Sequence, residues 1–351
     1  MAQETPPGIV GKSDWIFYNR EFVRNIPESD ISVKLISQIS KILEDNGTTV
    51  LIALAPIKSR IYEEYLPDTR KMTADHKDDY NRLLTQFKVL GVNTVDINSA
   101  FLNSPKRTSE FPLYFRHDTH WAAPGALLAA ETTKAAIQSN PTLKRAYDQT
   151  PETKFNLLWA TQRVSMTGDL LRQMPPGSPK YDQEMISAFE VLKQGGGGTL
   201  LGDGGSSGVA LLGSSYTATW TQFPSAINYA LQRDVASLSF SANLGQWYGL
   251  DAYLRSDAFQ KSRPKLLIWE MPERDLKADP SMPYREARYV MENDEWIARV
   301  AASVQKSCQA TGNSASLAKG NAAAASTTAA DVIEIGLTRT SSNQEYFSAQ
   351  L

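Results

Sequence analysis

Two short segments of the chain carry the residue types of a serine hydrolase or acyltransferase. Residues 116–121 read Arg-His-Asp-Thr-His-Trp, which places the carboxyl of Asp118 two positions before the imidazole of His120. Much later, a glycine at the end of an apolar run precedes Ser214 and Ser215. A serine nucleophile needs a base to take its proton and an acid to orient that base. The chain has only three histidines, so the choice of base is narrow.

The serines allow a catalytic or a purely structural interpretation. Ser215 follows a predicted strand, and the carboxyl edge of a parallel sheet is where α/β proteins bind their ligands. Backbone N–H groups at the start of the next segment would then stabilise a tetrahedral oxyanion. Alternatively, Ser214 and Ser215 simply cap a helix, as serine often does. Gly-x-Ser alone is a weak motif.

The segment around His120 is also open to three interpretations. In an extended chain Asp118 and His120 point to the same side, so Asp118 would fix the tautomer of an imidazole that faces a serine. A surface turn before a helix at Pro124 is the plainer alternative. A metal site would use His117, Asp118 and His120, with His76 as the only other histidine. Aromatic residues would wall the site in the first case: Phe111, Tyr114, Phe115 and Trp121.

Other polar segments are weaker candidates. Residues 202–207 resemble a phosphate loop but lack the Gly-Lys-Ser/Thr ending, which favours a flexible loop. The charges of residues 269–275 predict an ion-pair network or, less directly, part of the site wall. Four residues are either sugar contacts or structural: Lys58, Tyr114, Arg116 and Trp247.

Composition excludes several classes of protein. Net charge is −2, which does not favour binding to nucleic acid or to an anionic membrane. No apolar run reaches the length of about 20 residues that spans a bilayer. Residues 1–7 lack the pattern of a signal peptide. Cys308 is the single cysteine, which rules out a disulfide framework and a cysteine metal site.

The order of predicted elements favours an α/β fold with a layered, mostly parallel sheet. Apolar runs predict strands at 48–55, 92–97, 209–212, 235–240 and 265–269. Helical periodicity predicts helices at 32–45, 76–90, 124–138, 223–232 and 250–259. Residues 140–200 contain many prolines and few periodic segments, and we predict a surface excursion there. Residues 312–330 have the composition of a linker.

Several sequence blocks together resemble one known family. Asp118-Thr119-His120-Trp121 is similar to the Asp-x-His-Trp motif of the alginate O-acetyltransferase AlgJ/AlgX family, whose domain is SGNH-hydrolase-like. The run 213–216 matches that family's Gly-Thr-Ser-Tyr turn, with serine for threonine. Residues 11–18, 55–58 and 269–274 are also similar, in the family's order. Asp118 and His120 precede Ser215, the permuted order of polysaccharide acetyltransferases rather than that of ordinary SGNH hydrolases.

The resemblance implies a fold, an activity and site residues. The expected fold is a three-layer α/β/α sandwich at 8–305, followed by a low-complexity linker and a short strand segment at 306–351. The expected activity is O-acetylation of an exopolysaccharide, alginate or acetylated cellulose, through an acetyl-serine and without a cofactor or metal. Ser215 would be the nucleophile, His120 the general base and acid, and Asp118 its orienter. Ser215 N–H and Gly245 would stabilise the oxyanion, and Tyr114, Arg116 and Trp247 would contact substrate.

The resemblance also implies a cellular context. Such enzymes act in the periplasm, either free or held at the inner membrane by an N-terminal segment that this sequence does not contain. A membrane-bound O-acyltransferase would supply acetyl groups, the polysaccharide would accept them, and other acetylation and export proteins would be partners. His117, the glycine-rich stretch 195–205 and the short C-terminal segment depart from the family pattern. An acetyl esterase with the same triad and a non-catalytic polysaccharide-binding subunit remain the alternatives.

Overall fold

The centre of the protein is a parallel sheet of five strands, seen in a computed structural model that describes residues 8–194, 208–241, 244–282 and 289–305. The described strands are β1 (Gly8–Val10), β2 (Ile16–Tyr18), β3 (Thr49–Ala55), β4 (Thr94–Val95), β5 (Phe155–Trp159), β6 (Val164–Met166), β7 (Glu184–Ile186), β8 (Phe189–Lys193), β9 (Val209–Gly213), β10 (Val235–Ser239) and β11 (Leu266–Pro272). The central sheet has the order β10-β9-β11-β3-β4, and every pairing in it is parallel.

Helices cover both faces of this sheet. The described helices are α1 (Ile26–Asp45), α2 (Lys58–Ile61), α3 (Ala74–Val89), α4 (Ile97–Leu102), α5 (Ala123–Ser139), α6 (Pro141–Asp148), α7 (Phe223–Leu231), α8 (Gly245–Arg255), α9 (Asp257–Lys261) and α10 (Asn293–Val304). Helices α4, α5, α6 and α7 contribute to the core on one face, and α1, α3, α8, α9 and α10 to the core on the other. The predicted three-layer α/β/α fold is therefore confirmed.

The central strands are buried on both sides, and their side chains alternate between the two cores. In β3, Leu51 and Ala53 join one core while Val50 and Ile52 join the other. This alternation is the period of two that a pleated strand imposes. A strand buried on both faces reads as a continuous apolar run, which is why the sequence revealed β3, β9 and β11 within a few residues of their bounds.

Two regions differ from the sequence-based expectation. The strand expected at 92–97 is only two residues long, because the carboxyl of Asp96 caps α4 by accepting the N–H of Ser99 at 2.9 Å. Within the predicted surface excursion at 140–200, the described residues 140–194 contain regular secondary structure. They form α6 and two antiparallel strand pairs, β5 with β8 and β6 with β7. These strands expose apolar side chains such as Leu158 and Met185, so they lack the buried-face pattern that identifies a strand.

The described residues from 8 to 305 lie within one compact unit. The linker and strand predicted at 306–351, and the glycine-rich residues 195–207, lie outside the described residues. In the described part of the chain, no helix combines the length and apolar character needed to cross a bilayer.

Candidate active site

Ser215 lies two residues after the end of β9, at the carboxyl edge of the central sheet. It begins a single 3-10 turn, Ser215–Thr217, for which Ser214 is the N-cap. The Ser214 hydroxyl accepts the N–H of Tyr216 at 3.1 Å. The two interpretations of these serines therefore apply to different residues. Ser214 has the structural role, because it caps the turn, and Ser215 is left for the catalytic role.

Glycine is required at position 213 because the turn packs closely against a buried carboxyl group. A Cβ on Gly213 would lie 2.3 Å from Thr217 Cγ2 and 2.6 Å from Glu270 Oε2. That same oxygen accepts the N–H and the hydroxyl of Ser214, both at 2.8 Å. Burial raises the pKa of Glu270 to about 8, against the opposing effect of the two Ser214 donors. Glu270 therefore holds the serine turn rather than joining the ion-pair network expected for residues 269–275.

A continuous hydrogen-bond chain joins Ser215, His120 and Asp118. The Ser215 hydroxyl lies 2.7 Å from His120 Nε2, and His120 Nδ1 lies 2.6 Å from Asp118 Oδ1. Both contacts lie at the edge of a buried region, since His120 and Asp118 are 6% and 3% exposed. A proton on Nδ1 leaves Nε2 free to accept the serine proton, which is the arrangement of a general base.

The carboxylate of Asp118 is held in its charged form by donors on both oxygens. Oδ1 also accepts the backbone N–H of His120 at 2.9 Å, and Oδ2 accepts that of Asp169 at 2.7 Å. Burial by itself would raise the pKa of Asp118, but the imidazole and these donors keep that pKa low, at about 2. Asp118 is thus a fixed negative charge beside the imidazole.

Asp169 is a site residue that sequence reasoning missed. Its carboxyl group accepts hydrogen bonds from the N–H and the hydroxyl of Thr119, at 2.8 and 2.7 Å. Thr119 directly precedes His120 in the chain. Burial and the Asp118 charge raise the pKa of Asp169. Gly168 permits this contact, because a Cβ there would lie 2.0 Å from the His117 carbonyl oxygen. The Gly-Asp pair at 168–169 was the available signal, but it lay in the stretch assigned to a surface excursion.

Two aromatic side chains lock the His120 segment to the serine turn. The Trp121 indole donates to the Tyr216 carbonyl at 3.2 Å, and the Tyr216 hydroxyl donates to the Thr119 carbonyl. Arg274 in turn donates to the Tyr216 hydroxyl at 3.0 Å. Segments far apart in the chain are therefore fixed to each other on both sides of the Ser215–His120 contact.

Lys58, considered as a sugar contact, is instead a buried support of the site. Its ammonium group donates to the carbonyls of Phe115, Arg116 and Asp118 at 3.1, 3.1 and 2.7 Å. Burial lowers the pKa of Lys58 to about 8, and nearby carboxylates, Glu21 first, act in the opposite direction.

The other predicted substrate contacts are largely structural. Tyr114 is fully buried and donates to the Pro56 carbonyl, and Trp247 is buried and donates to the Ala278 carbonyl at 2.8 Å. The complete burial of Tyr114 does not favour a sugar contact there. Trp247 keeps 8% of its surface exposed beside a cleft that Tyr248 also lines, and its role as a substrate contact stays a prediction. Arg116 is partly exposed, and its guanidinium makes no hydrogen bond or ion pair with the described residues. Its role as a substrate contact stays a prediction.

The geometry of Gly245 does not favour an oxyanion role. Gly245 begins α8 with a φ of 74°, and its N–H points to the Ser241 carbonyl at 3.4 Å, within its own loop. The N–H of Ser215, by contrast, makes no hydrogen bond to the described part of the chain. The N–H of Ser215 is therefore available as one donor to an oxyanion. The geometry does not support Gly245 as the second donor, so that role stays a prediction.

The predicted aromatic wall is partly correct. Phe115 stacks on Trp220 with ring centroids 6.3 Å apart, and Trp220 meets the His120 ring edge-on at 4.9 Å. Trp121 is in the core against Tyr216 at 4.9 Å, and Phe111 pairs with Arg163 instead. Trp220, which sequence reasoning did not single out, is the half-exposed member at 48%.

The residues that could hold a metal ion are not the three predicted from the sequence. His117 bonds Asp14 at 2.9 Å and is not part of the cluster, whereas Asp118, His120 and Asp169 have ligand atoms within 4.8 Å of one another. The described donors already occupy all four carboxyl oxygens of the two aspartates. The 2.6 Å contact of His120 Nδ1 with Asp118 is the length of a charge-assisted hydrogen bond. The donor set fits a shared proton better than a cation.

Comparison with known proteins identifies the family. Residues 9–273 match the model of the SGNH hydrolase-like domain of the acetyltransferase AlgX. The chain belongs to this family. Within the AlgX family, the chain is 29% identical over 305 residues to the probable alginate O-acetylase AlgJ of Pseudomonas syringae pv. tomato, covering 83% of this chain and 75% of that protein. It is 27% identical to the probable alginate O-acetylase AlgJ of Pseudomonas aeruginosa, over 86% and 77% of the two chains.

Solved structures support the fold of this AlgX-family domain. The O-acetyltransferase domain of Pseudomonas putida AlgJ superimposes with a TM-score of 0.69 at 24% identity, over 85% of this chain and 100% of that one. Pseudomonas aeruginosa AlgX superimposes with a TM-score of 0.64 at 20% identity, over 84% and 68%. At these identities the structures establish the shared fold.

Proposed function

We propose that this protein is an O-acetyltransferase that moves an acetyl group to a hydroxyl of an exopolysaccharide through an acetyl-serine intermediate. The observation that carries the proposal is the Ser215–His120–Asp118 hydrogen-bond chain at the carboxyl edge of an AlgX-family domain. Each member has the geometry that its role requires, and the family supplies the class of reaction.

In the first half-reaction, Ser215 Oγ attacks the carbonyl carbon of an acetyl donor while its proton passes to His120 Nε2. The negative charge that develops on the carbonyl oxygen is stabilised by the N–H of Ser215, and Asp118 stabilises the imidazolium. The bond to the leaving group breaks as the imidazolium returns the proton to it. The products are acetyl-Ser215, the released donor alcohol and neutral His120.

In the second half-reaction, a sugar hydroxyl takes the position of the leaving group. His120 Nε2 accepts its proton as its oxygen attacks the acetyl carbon, and the imidazolium then protonates Ser215 Oγ as the acyl bond breaks. The sugar leaves with the acetyl group, and the enzyme returns to its starting state. Water in place of the sugar gives acetate, so the same site also supports ester hydrolysis.

The names of the relatives support alginate as the acceptor, since several of them are called alginate O-acetylases or alginate biosynthesis proteins. Acetylated cellulose is the second polymer that we test. The setting that we propose is the periplasm, with a membrane-bound O-acyltransferase that supplies acetyl groups and with other acetylation and export proteins as partners.

The test is acetyl transfer from 4-nitrophenyl acetate to defined oligosaccharides, followed by mass spectrometry of the sugars. Oligomannuronate and cello-oligosaccharides serve as the two acceptors. We expect acetylated oligomannuronate, and a loss of about 10³-fold or more in kcat/KM for Ser215→Ala and His120→Ala. Ser139→Ala, at an exposed serine that ends α5, is the control and keeps wild-type activity.

Each other outcome points to a specific alternative. Acetylation of the cello-oligosaccharide alone would move the acceptor to cellulose. Ser215-dependent release of nitrophenol without acetylated sugar would favour the esterase. No nitrophenol release and no labelling of Ser215 by a sulfonyl fluoride would favour a non-catalytic polysaccharide-binding subunit.

A further inference from the structure

Trp220 is an exposed aromatic side chain in contact with His120 of the candidate catalytic pair. The residue is 48% exposed, and the centroid of its ring lies 4.9 Å from the centroid of the His120 imidazole, with the two planes 77° apart. Soluble proteins bury most of their tryptophan surface, so a half-exposed indole beside a reactive centre is an informative exception. The proton relay described above makes no use of it.

The position of Trp220 is fixed by the turns on either side of it. Thr221 donates its hydroxyl to the Tyr216 carbonyl at 2.8 Å. Gln222 has a φ of 62°, and its side-chain amide donates to the Phe189 carbonyl at 2.6 Å and accepts the Phe189 N–H at 3.3 Å. Phe115 stacks against the indole at 6.3 Å. A rigidly mounted ring loses little conformational entropy when a ligand covers it.

The free surface of Trp220 has the chemistry of a sugar platform. A pyranose ring has a face of C–H groups, and the negative face of an indole attracts such groups while both lose contact with water. The indole N–H makes no hydrogen bond to the described residues and is available to a sugar oxygen. A sugar hydroxyl at His120 Nε2 would bring its own ring, or the adjacent one, over the indole.

We propose that Trp220 is the platform on which a pyranose ring of the acceptor polysaccharide stacks, and that it selects sugar over water in the second half-reaction. This inference rests on the proposed transferase function. It assigns to Trp220 the binding of the acceptor chain and leaves the proton transfers to His120.

The first test measures acceptor binding without catalysis. In the Ser215→Ala background, saturation-transfer NMR with oligomannuronate compares Trp220, Trp220→Ala and Trp220→Tyr. We expect the dissociation constant to rise about tenfold for Trp220→Ala and to recover for Trp220→Tyr, the size of one aromatic contact. Trp159→Ala is the matched control, because Trp159 is 42% exposed but packs on Phe189 at 5.2 Å rather than on His120.

The second test measures the fate of the acetyl-enzyme in the catalytically intact chain. The ratio of acetylated sugar to acetate, at a series of oligomannuronate concentrations, reports acceptor capture after the step that releases nitrophenol. We expect Trp220→Ala to need about tenfold more acceptor for the same ratio. Trp159→Ala should give the wild-type ratio.

Two results would overturn the proposal. One is an unchanged dissociation constant in Trp220→Ala, whether or not the enzyme transfers acetyl. The other is an unchanged product ratio with a lower rate of nitrophenol release, which would mean that Trp220 only supports His120. If the wild-type protein binds the sugar through Trp220 but acetylates none, the result supports Trp220 as the sugar-binding residue and contradicts the proposed transferase function.

Discussion

Glu270 lies behind the serine turn, and its two carboxyl oxygens differ in their hydrogen bonds. Oε2 accepts both donors of Ser214, whereas Oε1 is buried without a hydrogen-bond partner among the described residues. The residue is fully buried within β11, two residues before the strand ends. An ionised carboxylate in such a place is costly, so the group keeps its proton to a higher pH than it would in water.

We predict that Glu270→Gln flattens the pH dependence of stability. The pKa of Glu270 is raised to about 8, so its favourable contribution is complete at acid pH, below its unfolded pKa, and is lost as the pH rises through 8. We expect the free energy of unfolding of the wild type, measured with urea, to fall between about pH 5 and pH 8 by on the order of 3 kcal/mol more than that of the variant.

Glu131→Gln, at an exposed position of α5, is the control for this comparison. Its unfolding free energy should follow the wild-type curve. Parallel curves for the wild type and Glu270→Gln would mean that Glu270 is ionised in the folded protein across this range.

At the scale of elements, a single side chain from α2 holds the loop that carries Asp118. Lys58 is 0% exposed, and its three hydrogen bonds end on carbonyls of this loop, of which that of Arg116 also accepts the N–H of Ile16 at 3.0 Å. The loop then turns into Asp118 and His120 without regular secondary structure of its own. Helix α2 therefore supports the position of His120, the base in the proposed mechanism, through the loop backbone.

We predict that Lys58→Met lowers kcat for the chromogenic ester by about tenfold or more with little change in KM, because a small displacement of the base slows proton transfer. Lys41→Met, which removes an exposed lysine from α1, should leave both constants unchanged. Thermal unfolding identifies the temperature range in which Lys58→Met is folded. Wild-type kcat in that range would refute a positioning role.

Across the whole molecule, one buried ion pair joins the segments that follow β3 and β11. Arg60 contacts Glu273 through two hydrogen bonds of 2.6 Å, and the two side chains are 4% and 6% exposed. Glu273 also accepts the N–H of Ile57 at 3.2 Å. Removing one partner from such a pair leaves a buried charge without compensation, which costs much more than the pair itself contributes.

We predict that Arg60→Met lowers the free energy of unfolding by about 3–5 kcal/mol, and that Arg60→Met with Glu273→Met recovers most of the loss. Lys261→Met breaks the exposed pair with Asp257, whose side chains are 74% and 82% exposed, and should change stability by less than about 1 kcal/mol. Equal losses in the single and double variants of the buried pair would contradict this account. Urea unfolding measures all of them.

The sequence by itself determined the sheet, the close pair of Asp118 and His120, and the need for a turn at Gly213. These features are local: an apolar strand buried on both faces, two residues two positions apart, and a glycine before serines. Local patterns of this kind do not depend on how the rest of the chain packs. The bounds of β3 and β9 were accordingly predicted to within one residue, from 48–55 and 209–212 to Thr49–Ala55 and Val209–Gly213.

Only the tertiary structure decided which residues surround the Ser215–His120 contact. Asp169, Lys58, Glu270 and Trp220 reach the site from separate elements, through contacts between residues distant in sequence. Their residue types alone do not place them at this site, whereas Tyr114, whose type suits a sugar contact, is fully buried. Burial decides between such roles, because it removes water as the alternative partner, and burial is fixed only when the sheet and its helices have packed.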